Sequence, residues 1–125
     1  MGGIRIGDDE RAFLTARRMN AWEIGSYQPA GWPTAHPAVI VSHPARVASK
    51  PDVTVVMCAS QQATRLPEPH EVILDAADGL SWPTLCKCDL LYAVKKSTLT
   101  HFRGVVTAER KKQIIATIIR ANGWL

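Results

Sequence analysis

The stretch Val53–Ala59, VTVVMCA, decides the fold class, because it is an uncharged run of β-branched and small apolar residues. Such runs, when turn-forming residues flank them, are typical of buried β-strands. Ala38–Ser42 (AVIVS) has a similar composition, and Leu85–Val94 (LCKCDLLYAV) alternates less cleanly but is mostly apolar. Shorter candidate strands are Ala21–Ser26, His70–Leu74 and Arg103–Val106. The chain is therefore predicted to form about six short strands.

One helix is well marked, and it lies at the end of the chain. Thr107 is a good N-cap, Glu109 suits the first turn, and Asn122–Gly123 supplies a left-handed stop. Four isoleucines are predicted to share one face of this helix: Ile114, Ile115, Ile118 and Ile119. Short strands followed by one helix predict a mainly β fold, a small curled sheet or barrel with a C-terminal helix against it.

The segments between these elements are predicted to be loops or single turns. Tyr27–Pro37 is rich in proline and glycine, and His43–Asp52 contains two prolines, so both are interpreted as connections. Asp78–Gly79 indicates a turn, and Lys96–Leu99 is long enough for one helical turn. Trp82 and Trp124 are expected to pack against the fold.

Composition bounds the class of protein. The chain has 125 residues, of which 46% are hydrophobic and 21% charged, as in a globular protein of one domain. No apolar stretch approaches the roughly 18 residues that cross a bilayer, so no membrane partner is expected. Asp8, Asp9 and Glu10 interrupt any secretory signal, and three cysteines cannot all pair. These features predict a cytoplasmic protein.

The beginning of the chain is predicted to be separate from the core. Residues 1–18 form an N-terminal extension, either a flexible arm or a short helix capped by Asp8 or Asp9. A second interpretation is that Met19 is the natural start. Residues 19–125 are predicted to be the folded domain.

Five segments spread over most of the chain occur in a recognisable order. They are His36–Ser42 (HPAVIVS), Val55–Gln61 (VVMCASQ), His70–Leu74 (HEVIL), Cys88–Leu99 (CDLLYAVKKSTL) and Arg103–Arg110 (RGVVTAER). This order resembles the PemK/MazF family, the toxins of bacterial toxin–antitoxin pairs. The resemblance implies an SH3-like barrel and a homodimer. It also implies a metal-independent endoribonuclease that cuts single-stranded RNA and is held in check by a cognate antitoxin.

The resemblance also points to an active site that departs from the family pattern. The catalytic pair of the family is usually Arg and Thr, and the matching positions here hold His36 and Ser60. In a later strand an acidic residue is kept as Asp89. Leu90 stands where the family usually has Gln, and Tyr92 where it usually has Arg.

The substituted residues remain able to do the chemistry. A histidine with a pKa near 6.5 can take and return a proton, so His36 is the candidate acid/base. Ser60 can donate one hydrogen bond to a phosphate oxygen. Substrate-binding candidates are Arg65 as a second cation, Trp32 as a base-stacking surface, and Gln61 and His70. Each candidate also has a structural alternative, such as a loop anchor for Trp32 or a solvated charge for Arg65.

No metal site and no cofactor are predicted. Cys86 and Cys88 form a C-x-C pair, but Cys58 and a histidine would have to join them to complete a metal site. The cysteines are therefore interpreted as small core or surface residues. The sequence has no G-x-G-x-x-G and no phosphate-binding loop.

Two functions stay open at this point, and the charge distribution bears on both. One is the toxin-type ribonuclease, and the other is a non-catalytic module that binds nucleic acid or protein with the same barrel. The net charge of +4 is concentrated in Lys95–Leu125, which holds seven basic residues and one acidic residue. That segment is either a solvated helix face or a basic flank that guides RNA toward a groove.

Overall fold

The sheet is a single curled antiparallel layer of six strands in the order β4-β5-β3-β2-β1-β6. A computed structural model describes residues 18–125, so the predicted extension lies outside the described residues except for Arg18. The strands are β1 (Glu23–Tyr27), β2 (His36–Ile40), β3 (Asp52–Cys58), β4 (Glu71–Leu74), β5 (Thr84–Lys95) and β6 (Thr100–Val105). The helices are α1 (Pro44–Ser49) and α2 (Ala108–Ala121), with 3₁₀ turns at Ala76–Asp78 and Lys96–Thr98. The predicted mainly β fold with a C-terminal helix is confirmed.

The central strands β2 and β3 are buried on both faces, which explains why their sequences are continuous apolar runs. Alternate side chains enter two separate clusters, as the period of a strand requires. The first cluster lies under α2 and includes Val39, Val56, Cys58, Ile114 and Ile118. The second lies on the opposite face, beside α1, and includes Ile40, Val47, Val55 and Met57. Within residues 18–125, neither helix is long and apolar enough to cross a membrane.

Helix α2 begins and ends where the sequence predicts. The Thr107 hydroxyl accepts from the Arg110 backbone N–H at 3.2 Å, and Gly123 takes the left-handed conformation with φ of +67°. Only part of the predicted isoleucine face enters the core. Ile114 and Ile118 are buried, but Ile115 is 41% exposed because adjacent residues on a helix point about 100° apart.

A buried aspartate ties α2 to the sheet. Asp78 accepts from the Thr107 backbone N–H at 3.1 Å and from Arg110 Nε at 3.2 Å, while Arg110 Nη2 also lies 2.8 Å from Asp75. The turn that carries Asp78 presses against β6. A Cβ added to Gly104 would lie 2.1 Å from the Asp78 carbonyl oxygen, so only glycine fits there.

Two local predictions are corrected. Strand β2 begins at His36, two residues before the predicted Ala38, because His36 and Pro37 already pair with β1. Pairing with β3 starts only at Ala38. Pro37, which has no N–H, therefore removes no hydrogen bond to β3. The predicted connection His43–Asp52 contains α1, since Pro44 occupies the first turn, where its missing N–H is harmless, and His43 caps it.

The prediction for two of the tryptophans is also wrong. Trp82 is 48% exposed and Trp124 is 60% exposed. Trp82 lies in the short loop before β5, and Trp124 lies beyond the end of α2. Neither residue belongs to either of the two core clusters.

Candidate active site

A groove of about 270 Å³ opens where β2 begins and β3 ends. Nine residues line it: Trp32, His36, Met57, Cys58, Ala59, Ser60, Gln61, Lys87 and Leu90. Four of the six predicted site residues are in this set, namely Trp32, His36, Ser60 and Gln61. The strands thus bring together residues that are up to 29 positions apart in the sequence. Arg65 and His70 are not among the lining residues.

His36 is held in a defined orientation. It is the first residue of β2 and pairs with Tyr27 of β1, and its ring Nδ1 lies 3.0 Å from the carbonyl oxygen of Cys58. A carbonyl oxygen can only accept, so Nδ1 carries the hydrogen in this contact. In the neutral ring the lone pair is then on Nε2, and that nitrogen is the one able to take a proton.

The segment that carries Ser60 is fixed by the neighbouring strand β5. The buried hydroxyl of Thr84 donates to the carbonyl oxygen of Ala59 at 2.7 Å and approaches that of Gln61 at 3.3 Å. The Ala59 N–H donates to the carbonyl oxygen of Leu85 at 2.9 Å. The backbone on each side of Ser60 is therefore anchored, while the Ser60 residue itself is half-buried at the groove.

One wall of the groove is aromatic and apolar. The Trp32 ring lies edge-on to His36 with centroids 4.7 Å apart, and it also meets Tyr92 at 6.0 Å. Tyr92 in turn lies 6.5 Å from Tyr27. Leu90 completes the wall. These edge-to-face contacts fix Trp32 and Tyr92 against each other, so the wall is a preformed surface.

A charged cluster, which we call the Glu71 cluster, borders the groove. It consists of Arg65, Glu71 and Lys87. The Glu71 side chain is completely buried, and both of its oxygens bind Arg65, at 2.7 and 2.9 Å. Oε2 also accepts from Lys87, and Oε1 from the Glu68 backbone N–H at 2.8 Å. Arg65 and the other donors hold the pKa of Glu71 well below its usual value, because they stabilise the carboxylate.

The Glu71 cluster changes what is expected of two predicted site residues. Arg65 is predicted as a phosphate-binding cation, but both of its terminal nitrogens donate to Glu71. Its role toward a phosphate stays a prediction. His70 lies beside the same carboxylate, with Nε2 3.8 Å from Glu71 Oε2. Both residues contact Glu71, and neither is among the nine residues that line the groove.

Residues 18–125 contain one group of acidic and histidine side chains close enough to hold a metal ion: Glu68, His70 and Glu71, with ligand atoms within 4.8 Å. Both oxygens of Glu71 already accept hydrogen bonds, from Arg65, Lys87 and the Glu68 backbone. A carboxylate holds about four lone-pair sites, and here four donors occupy them. This group is an ion-pair cluster rather than a vacant ligand set.

The three cysteines are free and buried. They belong to the core cluster under α2, and Cys58 and Cys86 are register partners on β3 and β5. The neighbouring thiols of Cys58 and Cys88, together with burial, raise the pKa of the Cys86 thiol well above its usual value. A thiol in this environment stays protonated, as expected of a small core residue.

Sequence reasoning missed Lys87. It stands between Cys86 and Cys88 in a mostly apolar strand, and its partner Glu71 lies 16 residues earlier. The signal is the register of the β4–β5 hairpin, which sets Glu71 directly opposite Lys87. Opposite charges in that position form a stabilising cross-strand pair.

The fold agrees with comparisons to known proteins. A family model described as the PemK-like, MazF-like toxin of type II toxin–antitoxin systems matches residues 26–121. The chain belongs to this family, and it is a MazF-like toxin of a type II toxin–antitoxin system. None of the curated proteins matches the sequence.

Solved structures show the same fold. One is a mycobacterial endoribonuclease in complex with its cognate antitoxin, with a TM-score of 0.71 and 23% identity over 86% of this chain and 97% of that one. The Mycobacterium tuberculosis toxin MazF-mt6 has a TM-score of 0.69 and 23% identity, over 81% and 96%. A MazE–MazF structure from Deinococcus radiodurans has a TM-score of 0.66 and 16% identity, over 86% and 97%.

Proposed function

We propose that this toxin is a metal-independent endoribonuclease that cleaves single-stranded RNA in the groove between β2 and β3. The observation that carries the proposal is the orientation of His36. Its Nδ1 is committed to the Cys58 carbonyl, and its Nε2 is left as a base in a groove that Ser60 also lines. An oriented imidazole is the commonest general acid/base in enzymes.

The reaction that suits this site is attack by the RNA's own 2′-hydroxyl. His36 Nε2 takes the 2′-hydroxyl proton, the 2′-oxygen forms a bond to phosphorus, and the bond to the 5′-oxygen breaks. His36 then gives this proton to the leaving 5′-oxygen. The products are a 2′,3′-cyclic phosphate and a 5′-hydroxyl. The Ser60 hydroxyl donates to a phosphate oxygen, where charge develops.

The remaining groove residues suit a nucleic-acid strand. Trp32 presents an aromatic surface that is fixed by His36 and Tyr92, and such surfaces stack on unpaired bases. Gln61, exposed at the rim, offers both a donor and an acceptor to a base edge. Single-stranded RNA exposes the faces and edges of its bases, whereas a duplex buries them in stacked base pairs.

The partners follow from the same proposal. One similar solved structure is a complex with its cognate antitoxin, and another is a MazE–MazF structure. We propose that an antitoxin segment covers this groove when the toxin is inactive. We also propose that the toxin works as a cytoplasmic homodimer. An antitoxin segment that folds on binding would compete directly with RNA for the groove.

A second candidate is a non-catalytic module that binds RNA or protein in this groove. The observation that favours it is the apolar wall, since Leu90 and Tyr92 supply no charge to the bound strand. This candidate predicts binding that weakens with salt and no turnover.

Expression in a bacterial host separates the two candidates. We expect induction of the wild-type toxin to arrest growth and fragment cellular RNA, and His36→Ala to restore growth and intact RNA. His101→Ala is the matched control, because His101 is exposed on β6 and is absent from the groove lining. Arrest that persists in a folded His36→Ala variant would contradict the proposed role of His36.

A further inference from the structure

We propose that Lys87 forms a phosphate-binding subsite of the groove and is the residue that holds the backbone of the RNA strand. This inference rests on the proposed function only in naming RNA as the ligand. The resemblance to a family points to other positions, and the sequence prediction points to Arg65. The charges and contacts around Glu71 point to Lys87 instead.

The position of Lys87 is the first argument. Of the nine residues that line the groove, Lys87 alone carries a permanent charge at neutral pH. A phosphodiester monoanion of the RNA backbone that enters this mostly apolar space needs a cation within contact distance, because burying an unpaired charge is costly. His36 cannot supply that charge while it acts as a base.

The balance of the Glu71 cluster is the second argument. Arg65 and Lys87 share the Glu71 carboxylate, and the nearby Glu68 carboxylate attracts Arg65, so Lys87 is the less neutralised of the two cations. The Glu71 side chain has no exposed surface, whereas Lys87 is 26% exposed. An incoming phosphate therefore meets the ammonium group and is separated from the carboxylate.

The donor count of Lys87 is the third argument. An ammonium group has three N–H donors, and the bond to Glu71 Oε2 uses one of them. The others remain for a phosphate oxygen. Arg65 also keeps two of its five N–H donors, after two bonds to Glu71 and one to the Leu66 carbonyl oxygen, but it lies outside the groove lining.

Glu71 acts in this arrangement as a positioning residue. It faces Lys87 across the β4–β5 register, and Arg65 and the Glu68 backbone N–H hold it from the other side. The ammonium group is thus held at the groove by a carboxylate that is itself fixed. Fixed donors stabilise a charge without the cost of reorganising when the charge develops.

The test measures binding apart from cleavage. The probe is a short single-stranded RNA in which every ribose is 2′-O-methylated, so that no 2′-hydroxyl is available to attack. Its dissociation constant is measured from low to moderate salt for wild type, Lys87→Gln, Lys87→Arg and Arg65→Gln. Lys50→Gln is the matched control, since Lys50 is an exposed lysine at the end of α1 and is absent from the groove lining.

We expect Lys87→Gln to weaken binding roughly ten-fold, as loss of one charge-assisted hydrogen bond would. The slope of log affinity against log salt should fall by about 0.7, the value for one phosphate contact on a single strand. Lys87→Arg should retain the wild-type slope, and Lys50→Gln should leave both quantities unchanged. Gln at position 87 can still donate to Glu71, and thermal melting verifies that each variant is folded.

Two results would overturn the inference. One is wild-type affinity and slope in folded Lys87→Gln. The other is loss of affinity and slope in Arg65→Gln while Lys87→Gln retains them, which would establish Arg65 as the phosphate ligand. The proposed catalysis fails separately: a wild-type toxin that binds through Lys87 but leaves unmodified RNA intact supports the subsite and contradicts the ribonuclease.

Discussion

Two buried carboxylates, Asp78 and Glu71, do different things in this molecule although both side chains are fully shielded from solvent. Asp78 binds Arg110, which also contacts Asp75, so two acids share one cation. Glu71 binds Arg65 and Lys87, so two cations share one acid. Counted over these three side chains, the first arrangement is net negative and the second net positive, and the exposed Glu68 carboxylate lies beside the second.

The two carboxylates also differ in what surrounds them. Asp78 also accepts backbone N–H groups from Asp75 and Thr107, and it connects a tight turn to the first turn of α2. Its role is to dock the helix. Glu71 holds Lys87 at an open groove. Buried ion pairs with the same chemistry thus dock a helix in one place and hold a lysine at a groove in the other.

The largest expected effect comes from removing the docking carboxylate. Asp78→Ala should lower the free energy of unfolding by about 3–5 kcal/mol, because it leaves Arg110 without its buried partner and the Thr107 N–H without an acceptor. Chemical denaturation measures the loss. Asp75→Ala, at a side chain that is 40% exposed, should cost much less. Equal losses of unfolding free energy in the two variants would mean that Asp78 is not the residue that fixes α2 to the sheet.

A smaller effect is expected at the groove. Glu71→Gln should lower stability at pH 7 by about 1–3 kcal/mol, since the amide cannot accept the charged bonds from Arg65 and Lys87 as strongly. Both cations can turn toward water, because their side chains are 45% and 26% exposed. This loss should be smaller than that of Asp78→Ala.

The pH dependence gives the Glu71 prediction a definite sign. The pKa of Glu71 is lowered in the folded state, mainly by Arg65, so its stabilising contribution is complete above the pKa of an unfolded glutamate. It declines as the pH falls below about 4.3. The stability gap between wild type and Glu71→Gln should therefore narrow from pH 5 to pH 3. If the difference in stability stays constant from pH 5 to pH 3, Glu71 is not an ionised carboxylate in the folded protein.

The smallest effect is expected from the basic flank. Lys111→Glu combined with Lys112→Glu should raise KM for RNA about two- to five-fold and leave kcat unchanged, because long-range attraction acts on encounter rather than on chemistry. Lys111 lies 5.5 Å from the Trp22 ring centre, so Lys112→Glu alone serves as the comparison that spares this contact. A fall in kcat with constant KM would place these lysines in the reacting site.

Much of the fold was predictable because its strongest elements are set by local patterns. Helix α2 has a cap, an apolar stripe and a glycine stop, and β3 is an uninterrupted apolar run. Helix α1 was missed because its six residues begin with a proline and are capped by the unusual side chain of His43. Strand β2 was shortened because Pro37 suggested a boundary that the pairing with β3 does not impose.

The candidate site was predictable only in part, for a physical reason. His36, Ser60, Gln61 and Trp32 lie next to strand ends, and strand ends can be located from the sequence. Lys87 and Arg65 acquire their roles from Glu71, through a cross-strand register and a loop contact. Those contacts depend on tertiary structure, which no local pattern encodes.

The central claim is that the His36 groove cuts RNA through the RNA's own 2′-oxygen, and the ends of the products test it most directly. Purified toxin is incubated with single-stranded RNA in excess chelator, beside His36→Ala of equal melting temperature. We expect the wild-type toxin to form fragments with 2′,3′-cyclic phosphate and 5′-hydroxyl ends, and His36→Ala to form them at least about 100-fold more slowly. Intact RNA with the wild type, or fragments bearing 5′-phosphate ends, would contradict it.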